Sequence, residues 1–235
     1  MRFGIITPVF DGCLKSLELL CEEFKAQTHD DWIWMLCSNG YSERLSEFTR
    51  RKNGLSHRGL ISYFRGRRGQ AYTHTVYEEE KNVFSLLENI GRRRDFCIKQ
   101  IDADYLFMID ADAKILDKDM FRIIDSELKK NPAPICIYKI VHKLGLLPIF
   151  PISFARIDML NFCVKASLAK EVGYSTTVKR EAFGNDYWYF DRAMKASGGD
   201  YLFIDKIFCE HNGNNRYENL LTLLGREIDA TAKNN

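Results

Sequence analysis

The stretch Tyr105-Leu106-Phe107-Met108-Ile109-Asp110-Ala111-Asp112 decides the fold, because five consecutive apolar residues lead directly into two carboxylates. An uninterrupted apolar run of this length is typical of a strand that is covered on both faces, as in a parallel sheet. Asp110 and Asp112 then lie at the carboxyl end of that strand, which is the edge where open α/β sheets bind ligands. The stretch therefore predicts an α/β domain with a site that begins at these two aspartates.

Outward from this stretch, short apolar strands alternate with amphipathic helices, the pattern of an α/β domain with a mainly parallel central sheet. The other predicted strands cover residues 3–7, ended by Pro8, and residues 32–37, 59–64, 135–141, 162–164 and 201–204. The predicted helices cover residues 14–24, 83 or 92 to 101 (depending on whether Gly91 breaks the helix), 117–130, a short stretch ending near Gly173, 185–197 and 217–231. We expect one domain over residues 1–235, because the length suits one and no internal repeat is present.

Composition excludes several classes of protein. The 34 basic and 32 acidic side chains leave a net charge of +2, which gives no general reason to expect nucleic acid as a partner. Seven cysteines without a CxxC pair or a zinc-ligand spacing are typical of buried, reduced thiols in a cytoplasmic protein. The first residues, Met1 to Pro8, do not have the pattern of a signal peptide. We expect a soluble, cytoplasmic chain without a transmembrane segment.

The two aspartates after the central strand admit two interpretations. They can form a solvated turn before the next helix, or they can converge on Mg²⁺ or Mn²⁺, which in turn binds phosphate oxygens. The same tripeptide occurs at Asp102-Ala103-Asp104, but there it precedes the strand. We therefore expect that second copy at the opposite edge of the sheet, as a helix-to-strand turn without chemistry.

Five further segments accompany the aspartates in a fixed order. Thr7-Pro8-Val9-Phe10 ends the first strand, Ser38-Asn39-Gly40 follows the second, and Arg93-Arg94-Asp95 places Arg94 sixteen residues before Asp110. Downstream come Gly184-Asn185-Asp186-Tyr187-Trp188 with Arg192 and Gly198, and then Glu210-His211-Asn212-Gly213. In order and spacing these segments resemble the inverting glycosyltransferases of the family-2 type, which have the nucleotide-binding fold called GT-A. The resemblance covers most of the chain.

The resemblance implies a role for each of these positions. Asp186 is the general base, because Asn185 replaces the first acid of the family's pair. The donor site contains Thr7, Pro8, Phe10, Asn39, Arg94, Asp110 and Ala111; the metal ligands are Asp110, Asp112 and His211; the acceptor side contains Asn161, Asn185 and Trp188. Residues 1–112 form the nucleotide-binding half, and residues 113–235 form the acceptor-binding half with a C-terminal helix.

The implied activity is a metal-dependent, hexosyltransferase-like transfer in polysaccharide biosynthesis. Mn²⁺ or Mg²⁺ is the cofactor, and a hydroxyl of a glycan or a lipid-linked acceptor attacks the sugar with inversion. An Asn39 amide can accept from uracil N3–H and donate to O4, which favours a UDP-sugar over a GDP-sugar as donor.

Two other segments have open interpretations. The charged run over residues 65–82 predicts a solvated loop or, less readily, a lid over the active site. The apolar run Leu144 to Ile152 is far shorter than the ~20 residues of a membrane-spanning helix. We favour a buried loop for it; the alternative is an exposed patch that receives a lipid-linked acceptor or holds the protein peripherally at a membrane surface.

Three other functions compete with glycosyl transfer. A phosphatase of the haloacid dehalogenase type also has DxD after a buried strand, but its motif continues with Thr or Val where this chain has Lys114. A non-catalytic sugar-nucleotide-binding module stays open because Asn185 replaces an acid. A nucleotidyltransferase is disfavoured, because no Gly-rich phosphate loop with a basic residue follows the first strand.

Overall fold

The central strand of the sheet is the apolar run Tyr105–Met108, flanked by strands on both sides. The computed structural model describes residues 1–38, 42–53, 60–65, 83–175 and 184–214. In chain order the strands are β1 (Phe3–Val9), β2 (Trp32–Ser38), β3 (Leu60–Arg65), β4 (Tyr105–Met108), β5 (Lys114–Ile115), β6 (Ile135–His142), β7 (Gly145–Leu147), β8 (Phe162–Lys165) and β9 (Leu202–Glu210). The helices are α1 (Leu14–Lys25), α2 (Glu43–Asn53), α3 (Val83–Gln100), α4 (Met120–Lys130), α5 (Ala166–Val172) and α6 (Asn185–Ala196).

The strands form one sheet in the order β3-β2-β1-β4-β8-β6-β9-β5, with β7 paired to β6. The pairs β1–β2, β1–β4, β2–β3 and β6–β9 are parallel, whereas β8 runs antiparallel to both β4 and β6. Because β8 is antiparallel to both of its neighbours, β4 and β6 run in the same direction. Strands β6 and β9 therefore point the same way as β1 to β4. The predicted α/β fold of one domain with a mainly parallel central sheet is confirmed.

Both faces of the sheet are covered, as the apolar run predicts. Tyr105 and Phe107 point into one core cluster together with α1 and α4, and Leu106 and Met108 point into the other, together with α3, α5 and α6. The alternation follows from the two-residue period of a strand. The sheet therefore forms the middle layer between two layers of helices.

One expected break in secondary structure is wrong, and a second that the sequence left open does not occur. Pro8 does not end β1, which continues to Val9 and keeps its register with β2. The carbonyl of Ile6 accepts from Ile109 on the β4 side, so the nitrogen of Pro8, two residues on, faces the side where β4 has already ended. No ladder bond is lost there. Gly91 does not break α3, which runs without interruption from Val83 to Gln100.

The run from Leu144 to Ile152 is also not the buried loop that we favoured. It forms β7 and the loop after it, and only Leu147 and Pro148 in this run are buried. Leu144, Leu146, Ile149 and Phe150 are exposed by 60%, 49%, 41% and 46%. The hairpin turns over at residues 143–144, beyond the end of the sheet, so its tip has no core to enter.

Several other expectations can be placed. All seven cysteines are buried and free, as predicted. No helix in the described ranges is long and apolar enough to cross a membrane. The charged loop beyond Arg65, the turn at Asn39-Gly40 and the terminal helix over 217–231 fall outside the described residues.

Candidate active site at the carboxyl edge of the sheet

The topology gathers distant segments at one edge of the sheet. Strands β4, β6 and β9 point the same way, so the residues that follow them meet at their carboxyl ends: Asp110 and Asp112 after β4, His142 at the end of β6, and His211 after β9. Strand β8 is antiparallel, so Asp158, which precedes it, comes to the same edge. Asp110, Asp112, Asp158 and His211 line one cleft.

The second copy of the tripeptide lies at the other edge, as predicted. Asp104 precedes β4 and accepts a hydrogen bond from the backbone N–H of Arg2 at 2.7 Å. The backbone N–H of Asp104 donates to the carbonyl of Arg2 at 2.9 Å. Asp102 is almost fully exposed and lies 3.6 Å from the Arg2 guanidinium. These contacts make the 102–104 segment a turn that fastens the N-terminus.

A chain of polar contacts connects Asp110 with Asp186. The buried Arg94 guanidinium donates to Asp110 Oδ1 at 2.5 Å and to the Tyr174 hydroxyl at 2.9 Å. The Tyr174 hydroxyl in turn donates to Asp186 Oδ1 at 2.9 Å. Arg94 also lies 4.8 Å from the centre of the Tyr174 ring, in cation–π contact. Helix α3, the segment after α5 and the start of α6 thus share one network.

Tyr174 is held from both sides. Asp95 on α3 accepts from the backbone N–H of Tyr174 at 2.5 Å, from that of Ser175 at 2.9 Å, and from the Ser175 hydroxyl. Arg192 on α6 donates to the carbonyl oxygens of Gly173 and Tyr174 at 3.2 and 2.8 Å. The phenol is therefore a fixed link between Arg94 and Asp186, and the Arg93-Arg94-Asp95 motif contributes two of its three residues to that link.

Asp186 has the electrostatics of a base that works near neutral pH. Burial and the neighbouring Asp158 carboxylate raise its pKa to about 6, while Arg94 and the Tyr174 hydroxyl act in the opposite sense. A carboxyl whose pKa is raised this far binds a proton more readily than an ordinary aspartate does. Asp110, at the other end of the network, is ion-paired with the Arg94 guanidinium.

Asp158 and His211 form an ion pair beside this network. His211 Nδ1 lies 3.2 Å from Asp158 Oδ2, and this contact raises the pKa of His211. Burial acts to raise the pKa of Asp158, but the hydrogen bond and charge of His211, the Leu160 N–H and the neighbouring His142 together outweigh burial, so the pKa is lowered. Burial and the neighbouring His211 lower the pKa of His142, whose ring lies 4.6 Å from that of His211. The pKa values of these two neighbouring histidines are therefore shifted in opposite directions.

The loop that carries His211 is fixed to the aspartate turn. The His211 N–H donates to Val141, and the Asn214 N–H donates to the carbonyl of Asp112 at 2.8 Å. The Asn214 amide adds bonds of 2.9 Å to Glu23 and to the carbonyl of Ala113. At Gly213 a Cβ atom would come within 2.6 Å of the Lys114 Cβ, so the loop approaches as closely as only glycine permits.

The donor groups at this edge suit a divalent cation. Carboxylates of Asp110, Asp112 and Asp158 with the imidazole of His211 are ligands that Mn²⁺ and Mg²⁺ accept. One nitrogen or oxygen from each of His142, Asp158 and His211 lies within 4.8 Å of the others. However, the Leu144 N–H donates to His142 Nδ1, so the neutral ring carries its proton on Nε2. Before Nε2 can ligate a metal, the proton must move to Nδ1 and the Leu144 contact is lost; before Nδ1 can ligate, the Leu144 contact must also be lost.

Two residues predicted to touch ligands are fully buried and hydrogen-bonded within the protein. Thr7 is fully buried; its hydroxyl accepts from Trp34 Nε1 at 2.8 Å and donates to the Ile109 carbonyl at 2.6 Å. Asn161 is also fully buried, donating to the Tyr138 carbonyl at 3.0 Å and accepting from the Asp158 N–H at 2.8 Å. Both side chains make these hydrogen bonds inside the protein, and the predicted contacts of Thr7 with a nucleotide and of Asn161 with an acceptor stay predictions.

The other predicted ligands keep open roles. Phe10 is exposed by 38% beside the partly exposed Pro8, whereas the Ala111 side chain packs in the core and offers only its backbone. Asn185 Oδ1 is buried and has no hydrogen-bond partner among the described residues, which leaves an acceptor oxygen next to Asp186. The Trp188 ring packs edge-on against Tyr187 at 5.1 Å. Asn39 lies outside the described residues.

Three site residues were missed by sequence reasoning. Tyr174, Asp158 and His142 reach the edge only through the tertiary fold, and none of them stands in a recognisable motif. Asp158 had one local signal: Asp158 and Asn161 form a capping box at the Met159–Asn161 3₁₀ turn, a pattern that is readable as a turn start before β8. The signal marks a turn and not a site.

Comparisons with known proteins support the fold. No family model and no curated protein matches this sequence. Among solved structures, S. aureus TarS 1–349 in complex with UDP superposes with a TM-score of 0.62 at 12% identity, over 90% of this chain and 60% of that one. TarS 1–349 with UDP-GlcNAc and the Pyrobaculum calidifontis mannosyltransferase PcManGT with GDP-Man and Mn²⁺ both give a TM-score of 0.60 at 12% identity. They cover 90% of this chain, which spans 58% and 56% of their lengths.

Proposed function

We propose that this chain is a metal-dependent glycosyltransferase that moves a sugar from a nucleotide-diphosphate sugar, with a UDP-sugar favoured, to an acceptor hydroxyl with inversion. One observation carries the proposal: Asp186, a carboxyl with a raised pKa, is connected through Tyr174 and Arg94 to Asp110 at the ligand-binding edge of the sheet. The fold that this chain shares with TarS 1–349 in complex with UDP-GlcNAc and with PcManGT in complex with GDP-Man and Mn²⁺ supports the proposal.

The metal in this proposal is held by Asp112 and His211, with Asp110 nearby. Asp158 faces His211 Nδ1, which fixes the ring so that Nε2 carries the lone pair in the neutral form. This is the carboxylate–histidine arrangement that commonly orients a metal-binding imidazole. A divalent cation bound there neutralises charge on the pyrophosphate of the leaving nucleotide. Choice between Mn²⁺ and Mg²⁺ follows ligand type, and an imidazole ligand favours Mn²⁺.

Asp186 removes the proton of the acceptor hydroxyl as that oxygen attacks the sugar. The hydroxyl has a pKa far above neutrality, so it must lose its proton during attack and not before it. Tyr174 orients the carboxylate by donating to Oδ1, which leaves Oδ2 for the acceptor. In this proposal Asn185 Oδ1, buried at the start of α6, accepts a hydrogen bond from a second hydroxyl of a glycan acceptor.

Donor binding in this proposal uses the edge between β1 and β4. Phe10 and Pro8 border the nucleotide base, with Asn39 pairing with uracil, and the backbone at Ala111 faces the donor. Arg94 acts on the phosphates mainly through Asp110, because its own guanidinium is already bonded to that carboxylate and to Tyr174. A guanidinium has five N–H donors, so Arg94 keeps donors beyond these two bonds, and its buried Nε has no partner among the described residues.

The acceptor is a hydroxyl of a glycan, free or carried on a lipid, in polysaccharide biosynthesis. A cytoplasmic enzyme that is peripheral at a membrane surface belongs to the same proposal. Residues 1–112 bind the nucleotide and residues 113–214, with the chain beyond them, bind the acceptor.

Nucleotide release tests this function. The protein is incubated with Mn²⁺ and UDP-hexoses or GDP-Man, with and without a mixture of glycan acceptors, and free UDP or GDP is measured. We expect release from one donor class, stimulated by acceptor and abolished by EDTA. Release from none of the donors, together with hydrolysis of an aryl phosphate, would replace the proposal with the phosphatase alternative.

A further inference from the structure

The described surface has one concentrated group of exposed apolar side chains. Leu144, Leu146, Ile149, Phe150 and Phe154 are exposed by 60%, 49%, 41%, 46% and 56%; we call these five residues the hairpin surface. They occupy the β6–β7 hairpin and the loop that follows it. Val141, exposed by 37%, lies directly opposite Leu146 in the hairpin register and extends the group. Other exposed large apolar side chains lie on separate elements: Leu19 is in α1, and Leu116 directly follows β5.

The hairpin and the loop after it carry basic residues and no acid. Residues 128–157 contain no Asp or Glu, while Lys139, Lys143 and Arg156 stand next to or between the apolar residues. Lys143 is exposed at the hairpin turn itself. The neighbouring strand β9 carries two acids. Asp205 is ion-paired with Lys139, and Glu210 is paired with Val141 in the sheet register and lies 3.9 Å from Lys114 Nζ. A positively charged apolar surface of this kind is complementary to anionic lipid and poorly suited to a neutral one.

The hairpin surface is continuous with the acceptor side of the proposed active site. The Phe154 ring packs edge-on against Tyr187 at 5.8 Å, and a Cβ atom at Gly184 would lie 2.3 Å from the Phe154 ring. Gly184 and Tyr187 flank Asp186 at the start of α6. The loop 149–156 is closed by a 2.9 Å bond from the Ile149 N–H to the Arg156 carbonyl, so it holds Phe154 against that helix.

We infer that the hairpin surface docks this protein on an anionic lipid bilayer, with the apolar side chains entering the interface and Lys143 and Arg156 facing the lipid phosphates. Docking in this orientation brings the start of α6 to the bilayer, where an acceptor carried on a lipid would arrive. The inference rests on the membrane association in the proposed function and assigns it a surface; it does not depend on sugar transfer, since docking needs only the apolar residues and the charges. A second copy of the chain is the competing occupant; two like surfaces would bring equal positive charges together, which disfavours it.

Vesicle flotation tests the inference with the full chain. Vesicles of phosphatidylcholine are compared with vesicles that also contain phosphatidylglycerol. We expect binding to the anionic vesicles only, weakened by added salt because exposed charges are screened. In the double variant Leu144→Ser, Leu146→Ser the ratio of vesicle-bound to free protein should fall about tenfold or more, because two interfacial side chains are removed. Lys143→Glu should lose a similar factor on anionic vesicles.

Matched controls separate docking from general surface effects. Leu19→Ser and Leu116→Ser remove leucines exposed by 42% and 45% on other elements, and they should leave binding unchanged. Lys170→Glu, on exposed α5 surface, controls for the charge change. All of these sites are exposed, so circular dichroism should show unchanged folding for every variant.

A fluorescent reporter gives a second, independent reading. With Leu146→Trp the emission should shift to the blue on anionic vesicles, and with Leu116→Trp it should not. Equal binding by wild type and the double leucine variant, or no blue shift from Leu146→Trp, overturns the inference. So does concentration-dependent dimerisation in size-exclusion chromatography that the double variant abolishes, because the surface then belongs to a second copy. Loss of vesicle binding with nucleotide-sugar turnover intact in solution separates this inference from the proposed function.

Discussion

The Tyr174 hydroxyl donates to Asp186 Oδ1 at 2.9 Å and accepts from Arg94 at the same distance. Two residues that are twelve positions apart in the chain thus form the final link between the aspartate turn and the candidate base. The hydrogen bond stabilises the ionised form of Asp186 and opposes the raised pKa that burial produces. Tyr174 therefore orients the candidate base and lowers its pKa relative to burial alone.

Removing that hydroxyl should shift the pH dependence of the reaction. In Tyr174→Phe the pKa of Asp186 rises further, because burial and Asp158 keep their effect while the hydrogen bond is lost. We expect kcat to fall about ten- to hundredfold at neutral pH, with the acid limb of its pH profile displaced upwards. Tyr105→Phe is the control, because it removes a phenol bonded to the Ala133 carbonyl away from the site. An unmoved pH profile in Tyr174→Phe would remove Tyr174 from the mechanism.

Asp186→Asn should abolish transfer and stabilise the fold at the same time. The amide cannot take the acceptor proton, so we expect kcat to fall at least about a hundredfold, with nucleotide binding retained. The wild-type pKa of about 6 exceeds the ordinary value of 3.8, so the folded protein holds the proton more tightly than the unfolded chain. Ionised Asp186 therefore destabilises the fold increasingly as the pH rises from below 4 to above 6.

Thermal unfolding measures this effect. At pH 7 the Asn variant should gain about 1–2 kcal/mol, and near pH 4 the gain should vanish, because Asp186 is then protonated in the folded protein. The activity of the wild type should rise with pH through about 6 for the same reason. A variant that is less stable at pH 7, or loses nucleotide binding, would contradict the assignment of Asp186 as a buried, acceptor-side base.

Asp158→Asn should weaken metal binding without removing a predicted ligand. Its carboxylate faces His211 Nδ1 and orients the ring, and loss of such a partner typically costs about ten- to hundredfold in metal affinity. Mn²⁺ affinity is measured by electron paramagnetic resonance of the free ion. Because the pKa of His211 is raised, Mn²⁺ must displace a proton, and the affinity should increase with pH. Asp102→Asn, a change at an almost fully exposed acid on the opposite edge, should have no effect.

Asn161 and Asn185 should respond in opposite ways. Asn161→Ala leaves the Tyr138 carbonyl and the Asp158 N–H unpaired in the core, and should cost about 2–3 kcal/mol of stability. Asn185→Ala removes a buried oxygen that has no partner among the described residues, so stability should change little while the KM for the acceptor rises. Denaturant unfolding and steady-state kinetics distinguish them. A stable Asn161→Ala protein with a raised acceptor KM would support the sequence-based assignment of Asn161.

Local sequence patterns predict the frame of the site well. The apolar run before Asp110 forms a strand covered on both faces, and the residues after β4 and β9 come to one edge because parallel strands share a direction. The sixteen-residue spacing from Arg94 to Asp110 corresponds to a real contact of 2.5 Å between helix α3 and the turn after β4. The strand and its length depend on apolar periodicity, which the sequence encodes locally, whereas the Arg94 spacing was taken from the resemblance to family-2 glycosyltransferases.

The parts that were not predicted depend on side-chain contacts between distant segments. Tyr174 reaches Asp186 only because Asp95 and Arg192 fix its backbone from two helices. Thr7 and Asn161 are polar residues in plausible positions, and only the packing around them shows that their bonds are made internally. The run from Leu144 was expected to be buried because it is apolar; its exposure follows from a hairpin that extends past the sheet.

Calorimetric titration with UDP and GDP, each with and without Mn²⁺, tests the central claim most directly. The wild type should bind one nucleotide, with UDP favoured, only when Mn²⁺ is present, and Asp112→Ala should lose that binding while Asp102→Ala retains it. Metal-independent binding, or binding that survives in Asp112→Ala, would contradict the metal-dependent donor site at the carboxyl end of β4. Failure of both nucleotides to bind under any of these conditions would contradict the glycosyltransferase proposal itself.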